Sequence, residues 1–220
     1  MVKLERKQEE GFRVIFGDLE ISHLEGTIIA AFFPESEEMT IKEIQKRTGY
    51  SYERVNSALK SLTEKKIVVE KQKGKTLIYS LDTNSIYSYS LGFNRYTLQR
   101  EIDFIRKHRP IYKAIQEVEN HPFSWSVILF GSYSKGTEAK QSDVDLMVTC
   151  IPTKEKEVNS FIKSLKHKYG VNFSLVVLPM HEFPNIKKDN PELWNDLKIY
   201  GIVFKGRDSF YYWMYKDESR

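Results

Sequence analysis

The run Leu129-Phe130-Gly131-Ser132-Tyr133-Ser134-Lys135-Gly136, followed by Ser142-Asp143-Val144-Asp145-Leu146, constrains this chain more than any other feature of it. It reads as a strand, a glycine, one helical turn closed by a second glycine, a loop, and a strand bearing Asp-x-Asp. Residues two apart on a strand point to one face, so Asp143 and Asp145 are expected side by side. Two carboxylates on one face suit Mg²⁺ or Mn²⁺, which take oxygen ligands and bridge protein carboxylates to substrate phosphates. Gly131 has no side chain, so a triphosphate can approach its backbone. Gly131→Val is therefore expected to abolish nucleotide binding and leave the fold intact. Ser132 offers a hydroxyl and an N–H at the start of a helical turn, where the local dipole favours anions. Lys135 adds positive charge beside it, and Gly136 and Ser142 complete the expected phosphate-binding set.

The flanks of this run are α/β in pattern. Trp125–Phe130 and Val144–Cys150 are continuous apolar strands, and Val171–Leu178 is a third. Between the last two lies a helix with Val158, Phe161, Ile162 and Leu165 on one stripe. A helix of about twenty residues is expected from Thr97 to Asn120, ended by His121-Pro122. Pro191 starts another helix through Tyr200, and Ile202-Val203-Phe204 is a short last strand.

Upstream the pattern differs. The first ~20 residues are charged and weakly patterned. A helical stretch follows from about Leu24 to Phe33. Thr40-Ile41-Lys42-Glu43 fits a capping box, with Gly49 placed to end that helix. Ser51 is expected to cap the next one, in which Val55, Ala58, Leu59 and Leu62 form a buried stripe. Ile67-Val68-Val69 and Thr76–Tyr79 read as strands, and Glu70–Lys75 between them as a hairpin loop with Gly74 for its turn. Residues 83–96, rich in Ser, Asn and Tyr, read as a linker. At 220 residues the chain accommodates two small domains, 1–90 and 97–220.

Charge is distributed unevenly. Residues 1–53 hold 7 Lys/Arg against 11 Asp/Glu, whereas 54–75 hold 7 against 2. A local basic segment in a chain of net charge +4 suggests a local anionic partner. No stretch approaches the ~20 apolar residues of a membrane helix, and the N-terminus has no apolar signal region, so a soluble cytoplasmic protein without a membrane partner is expected. The single cysteine, Cys150, excludes an intrachain disulfide and reads as a core filler. His23, His108, His121, His167 and His181 lack metal-ligand spacing and read as surface or packing residues. The aromatic run Phe210–Tyr215 reads as docking onto a core or a second subunit, with base stacking as the alternative.

The Gly-Ser, Gly, Ser-Asp-x-Asp-Leu pattern resembles the DNA polymerase β-like nucleotidyltransferases, and within them the minimal nucleotidyltransferases, over about residues 97–210. The N-terminal element order resembles a winged helix-turn-helix over roughly residues 20–82. The resemblances imply a two-domain α+β or α/β protein: an N-terminal winged helix, and a nucleotidyltransferase fold with a mixed sheet flanked by helices. They imply Mg²⁺- or Mn²⁺-dependent transfer of a nucleoside monophosphate from a nucleoside triphosphate to a hydroxyl, with Asp143 and Asp145 catalytic. The acceptor, protein or RNA, stays open, as does a homodimer. Double-stranded DNA is the partner expected for the winged helix, met by Tyr52, Arg54, Asn56, Ser57 and Lys60 of the second helix and by Lys71, Lys73 and Lys75 of the wing. One departure bears on activity. The family supplies a third carboxylate from the next strand, where this chain has Ser174. Either two carboxylates suffice, or Glu182 or a substrate group compensates. The alternative is a DNA-binding transcriptional regulator whose transferase-like domain is an inactive nucleotide sensor or dimerisation module.

Overall fold

The computed structural model describes residues 14–16, 19–35, 37–82, 85 and 87–216. Two units separate between Arg95 and Tyr96. In the first, β1 (Val14–Phe16) and β2 (Leu19–Ile21) pair antiparallel, although the sequence there is weakly patterned. Three helices follow: α1 (His23–Ala30), α2 (Ile41–Thr48) and α3 (Tyr52–Glu64). The expected capping box holds α2. Thr40 accepts from the Glu43 N–H, Glu43 reaches back to the Thr40 N–H at 2.7 Å, and Gly49 ends the helix in the left-handed region. Ser51 occupies the N-cap position of α3, but its side chain makes no cap hydrogen bond. Val55, Ala58, Leu59 and Leu62 are all buried, and each fully buried aliphatic side chain contributes about 1.5–3 kcal/mol.

The hairpin is longer and its turn tighter than the sequence suggests. β3 (Val68–Lys73) pairs with β4 (Thr76–Leu81) in register from Val68↔Leu81 to Lys73↔Thr76, which leaves only Gly74 and Lys75 in the turn. Lys71 and Lys73 thus lie on a strand, not in a loop. Charged residues paired on a two-stranded ribbon keep one face in water, so polarity is no bar to strand formation. Met39 bridges to Tyr79 beside this ribbon. Thr83, Asn84 and Ile86 of the expected linker lie outside the described residues, as does most of the chain before β2. Ser88–Phe93 form a π-helical turn in place of the expected linker, with Leu91 and Phe93 buried and the Phe93 ring 5.6 Å from that of Phe33.

The expected long helix is two. α4 (Asn94–Lys107) stops at His108 (φ −129°), and α5 (Arg109–Asn120) begins there with Pro110 in its first turn. Proline has no N–H, and its ring collides with the carbonyl four residues back. A four-stranded mixed sheet follows, built from β5 (Ser124–Phe130), β6 (Val144–Cys150), β7 (Phe173–Pro179) and β8 (Ile202–Lys205) in the order β7-β6-β5-β8. β5 is antiparallel to β6 and β8, and β6 is parallel to β7. That parallel pair needs a crossover, which α7 (Glu155–Tyr169) provides. Val127, Leu129, Val144, Leu146 and Val148 pack on Ile115 and Val118 of α5 and on Val158, Ile162 and Leu165 of α7. The expected mixed sheet flanked by helices is present.

Beyond β7 lie a 3₁₀ segment (Met180–Asn185), α8 (Ile186–Asp189), α9 (Pro191–Tyr200) and, after β8, α10 (Arg207–Tyr211) with a π-helical end, Tyr212–Lys216. The C-terminal aromatics dock as expected. Phe210, Tyr211 and Tyr215 are buried, and the Trp213 ring stacks on Phe183 at 4.5 Å. No helix among the described residues is long and apolar enough to cross a membrane.

Candidate active site

The site is built where β5 ends and β6 and β7 begin. β5 delivers the chain to Gly131, which opens the one-turn helix α6 (Gly131–Lys135) at φ +68°. Ser134, buried, closes that turn by donating to the Gly131 carbonyl at 2.9 Å. Gly136 then ends it in the left-handed region. The reason for glycine at 131 differs from the sequence reading. A Cβ there would collide with the carboxylate of Asp145, its Cγ falling 2.8 Å away. Gly131 makes room for Asp145 itself, so Gly131→Val would disturb the local fold as well as any ligand.

Asp145 is half-buried on β6, opposite Phe130 of β5 and Ser174 of β7. Asp143 is exposed and sits just before the strand begins, not within it. Burial pushes the Asp145 carboxyl above its usual range. A hydrogen bond from Ser174 opposes that, the charges of Asp143 and Asp196 add to it, and Lys135 opposes it. Ser174 is therefore at Asp145, as the strand pattern requires. Glu182 is not: it lies in the 3₁₀ segment after the far end of β7, remote from Ser174 and Asp145.

Two of the expected phosphate ligands have other work. Ser142 accepts from the Ala139 N–H at 2.9 Å and pins the loop ahead of Asp143. Lys135 pairs with Asp196 of α9 at 2.5 Å, with its ammonium 5.0 Å from the Tyr200 ring centre. Ser132 is half-buried, and its hydroxyl engages no partner among the described residues. Arg100 ties the neighbouring elements together. Its guanidinium donates to the carbonyls of Ser134, Ile199, Tyr200 and Gly201, the ends of α6 and α9. Cations suit helix C-termini, where carbonyls lack partners. Sequence reasoning misses Asp196 and Arg100. Asp196 lies 51 residues beyond Asp145, and no local pattern marks it.

No group of three or more His, Cys, Asp or Glu side chains arranged to hold a metal ion occurs among the described residues. Asp143 and Asp145 alone still fit Mg²⁺ chemistry, since that ion commonly takes one or two protein carboxylates and completes its shell from phosphates and water. Burial first, and then the charges of Asp143 and Asp196, raise the Asp145 carboxyl, and a divalent ion would relieve the second of these effects. His108 lies 3.3 Å from Glu138 and 4.9 Å from the Phe104 ring, and His121 4.5 Å from the Phe161 ring, whereas His167 and His181 are exposed. Cys150 is buried, and burial raises its thiol pKa.

In the first unit, Tyr52, Arg54, Ser57 and Lys60 are exposed on α3 and Asn56 is half-buried. Lys71, Lys73 and Lys75 are exposed on the hairpin, with Lys71 3.6 Å from Glu38.

Residues 111–204 match the nucleotidyltransferase domain family. A protein of Methanocaldococcus jannaschii named "Putative protein adenylyltransferase MJ1305" is 33% identical over 92 residues. The match takes in 39% of this chain and 61% of that protein, so it spans less than two thirds of the relative's length. Its namesake MJ0128, from the same organism, is 28% identical over 100 residues, 44% of this chain and 93% of that protein. A solved structure, the toxin-antitoxin with AMP-PNP, is 23% identical with a TM-score of 0.36, over 50% of this chain and 83% of that one. Residues 111–204 are thus similar to a nucleotidyltransferase domain, and the relatives matched there are named as putative protein adenylyltransferases.

Proposed function

We propose that the second unit transfers a nucleoside monophosphate from a nucleoside triphosphate to a hydroxyl, and that the triphosphate lies along the α6 turn. The relatives' names make ATP the donor and a protein side chain the acceptor in the most concrete form of this reading. The observation that carries it is the joining of Asp145 to Gly131: the carboxylate occupies the space a Cβ would fill, directly beside the α6 turn. Ser132 and its N–H would meet the phosphates at the start of α6. Asp143 and Asp145 would hold Mg²⁺ or Mn²⁺, which when bound lowers the pKa of an attacking hydroxyl and neutralises the leaving pyrophosphate. Ser174 donates a hydrogen bond to Asp145 but cannot act as a base at neutral pH, so no residue of β7 takes a proton. The test is incubation with labelled ATP and Mg²⁺, with and without candidate protein and RNA acceptors. Pyrophosphate release with label transfer is expected, and it should be lost in Asp143→Asn; label transfer unaffected in that variant refutes the assignment.

A second reading concerns the first unit. The order of α1, α2, α3 and hairpin, with Tyr52, Arg54, Ser57 and Lys60 exposed on α3, supports a winged helix that meets duplex DNA. Such a unit joined to a transferase-like domain also fits a regulator in which nucleotide is sensed and not consumed, and Ser174 favours that variant. Absence of pyrophosphate release from a protein that binds both ATP and duplex would select it.

A further inference from the structure

A carboxylate that sequence patterning could not find completes the charge of the proposed site. β7 brings the neutral Ser174 to Asp145. α9, from the other side, brings Asp196, whose charge acts on Asp145 and whose Oδ1 lies 2.5 Å from the Lys135 ammonium. Lys135 is four residues along α6 from Gly131, the residue that makes room for Asp145. The position of Asp196 does not depend on Lys135 alone. Arg100 binds the end of α9 at three carbonyls and the end of α6 at one, so both helices are held by a single guanidinium. Lys135 therefore faces a counter-ion fixed by the fold. With all groups ionised, Asp143, Asp145 and Asp196 against Lys135 leave two net negative charges.

We propose that Asp196 is the third acidic residue of this site: a positioning residue that acts through Lys135 and sets the charge so that nucleotide binding depends on a divalent cation. The inference rests on the nucleotide site proposed above. By itself Lys135 would attract a triphosphate without metal. Neutralised by Asp196, it offers little until the cation takes up Asp143 and Asp145. The group supplied by β7 in related sites is here replaced, in charge though not in place, from α9.

Equilibrium dialysis of the full chain against ATP, in EDTA and in Mg²⁺, tests this with the parent, Asp196→Asn, Asp196→Glu and Asp143→Asn. Asp196→Asn keeps an oxygen for Lys135 and removes the charge. It should bind metal-free ATP roughly three- to tenfold more tightly than the parent, with a smaller gain on adding Mg²⁺. Asp196→Glu should restore the parent pattern. A purely structural role would instead weaken binding in both conditions. Unchanged or weaker metal-free binding in Asp196→Asn, with the Mg²⁺ gain lost in Asp143→Asn, overturns the inference and leaves the site standing. A full Mg²⁺ gain in Asp143→Asn, or no ATP binding by the parent, removes the site and the inference with it. Lys135→Gln approaches the pair from its other end: it should weaken metal-free binding, and parent-like affinity there also overturns the proposal.

Discussion

Gly131→Ala separates two reasons for a glycine at the turn. At φ +68° an alanine incurs the left-handed penalty, about 1–2 kcal/mol. Its Cβ would also fall on Asp145, 2.8 Å from Cγ and 3.1 Å from Cβ, with Oδ2 nearer still. Forcing the Asp145 side chain off its rotamer adds about 0.5–1.5 kcal/mol. The sum is on the order of 2–3 kcal/mol, a fall in Tm of roughly 10 °C for the second unit. Denaturation measured in a double-mutant cycle isolates the steric clash. In an Asp145→Ala background the offending carboxylate is gone, and the cost should fall towards the backbone penalty of about 1–2 kcal/mol, with only the 3.1 Å contact to the remaining Cβ added. Loss of ATP-dependent pyrophosphate release in Gly131→Ala should match that in Asp145→Asn, because both disable the same carboxylate. If Gly131→Ala costs the same in both backgrounds, the steric account is wrong and the left-handed backbone alone explains the glycine; a cost under about 0.5 kcal/mol refutes both and leaves the approach of a phosphate as the reason.

Glu119 offers a test by pH. Burial first, then Glu101, pushes its carboxyl up to about 7 from the ordinary 4.5. The folded state therefore holds the proton more tightly, and its stabilising contribution is complete below about pH 4.5 and lost as pH rises through about 7. The full shift corresponds to at most about 3 kcal/mol, on the order of 1 after solvent screening, so Glu119→Gln should be more stable than the parent at about pH 8 and no different near pH 4.5 in urea midpoints. Parallel pH curves would rule this out. Ser174→Asp places a third carboxylate opposite Asp145 and should lower the Mg²⁺ concentration for half-maximal ATP binding by roughly tenfold; an unmoved titration counts against the placement of the cation. Replacing Lys71, Lys73 and Lys75 together by Ala should flatten the salt dependence of duplex binding, by ~0.9 in slope for every phosphate that a lysine neutralises in the parent. Equal slopes and affinities would show that the hairpin does not touch DNA.

Local chemistry makes much of the fold legible. The Thr40–Glu43 box, the buried stripe of α3, β6 and the proline start of α9 are each specified within a few residues. The differences between sequence and structure are also local in origin. Pro110 divides what periodicity alone presents as one long helix, because the apolar stripe continues across the break. The lysine-rich strand β3 has the composition of a loop, because a two-stranded ribbon tolerates charge on its open face.

For the site, sequence determined that Gly131, Ser132, Asp143 and Asp145 would be neighbours, since a strand, a tight turn and a returning strand leave little freedom. Strand pairing at fixed register also put Ser174 beside Asp145. Only tertiary structure decided what each group faces. It turned Gly131 into the space for Asp145, engaged Ser142 in its own loop, and removed Glu182 to the far end of β7. It also brought Asp196 and Arg100 in from α9 and α4, helices remote in the chain. A motif records neighbours along the backbone, whereas the charge of a site is summed over whatever the packed helices deliver to it.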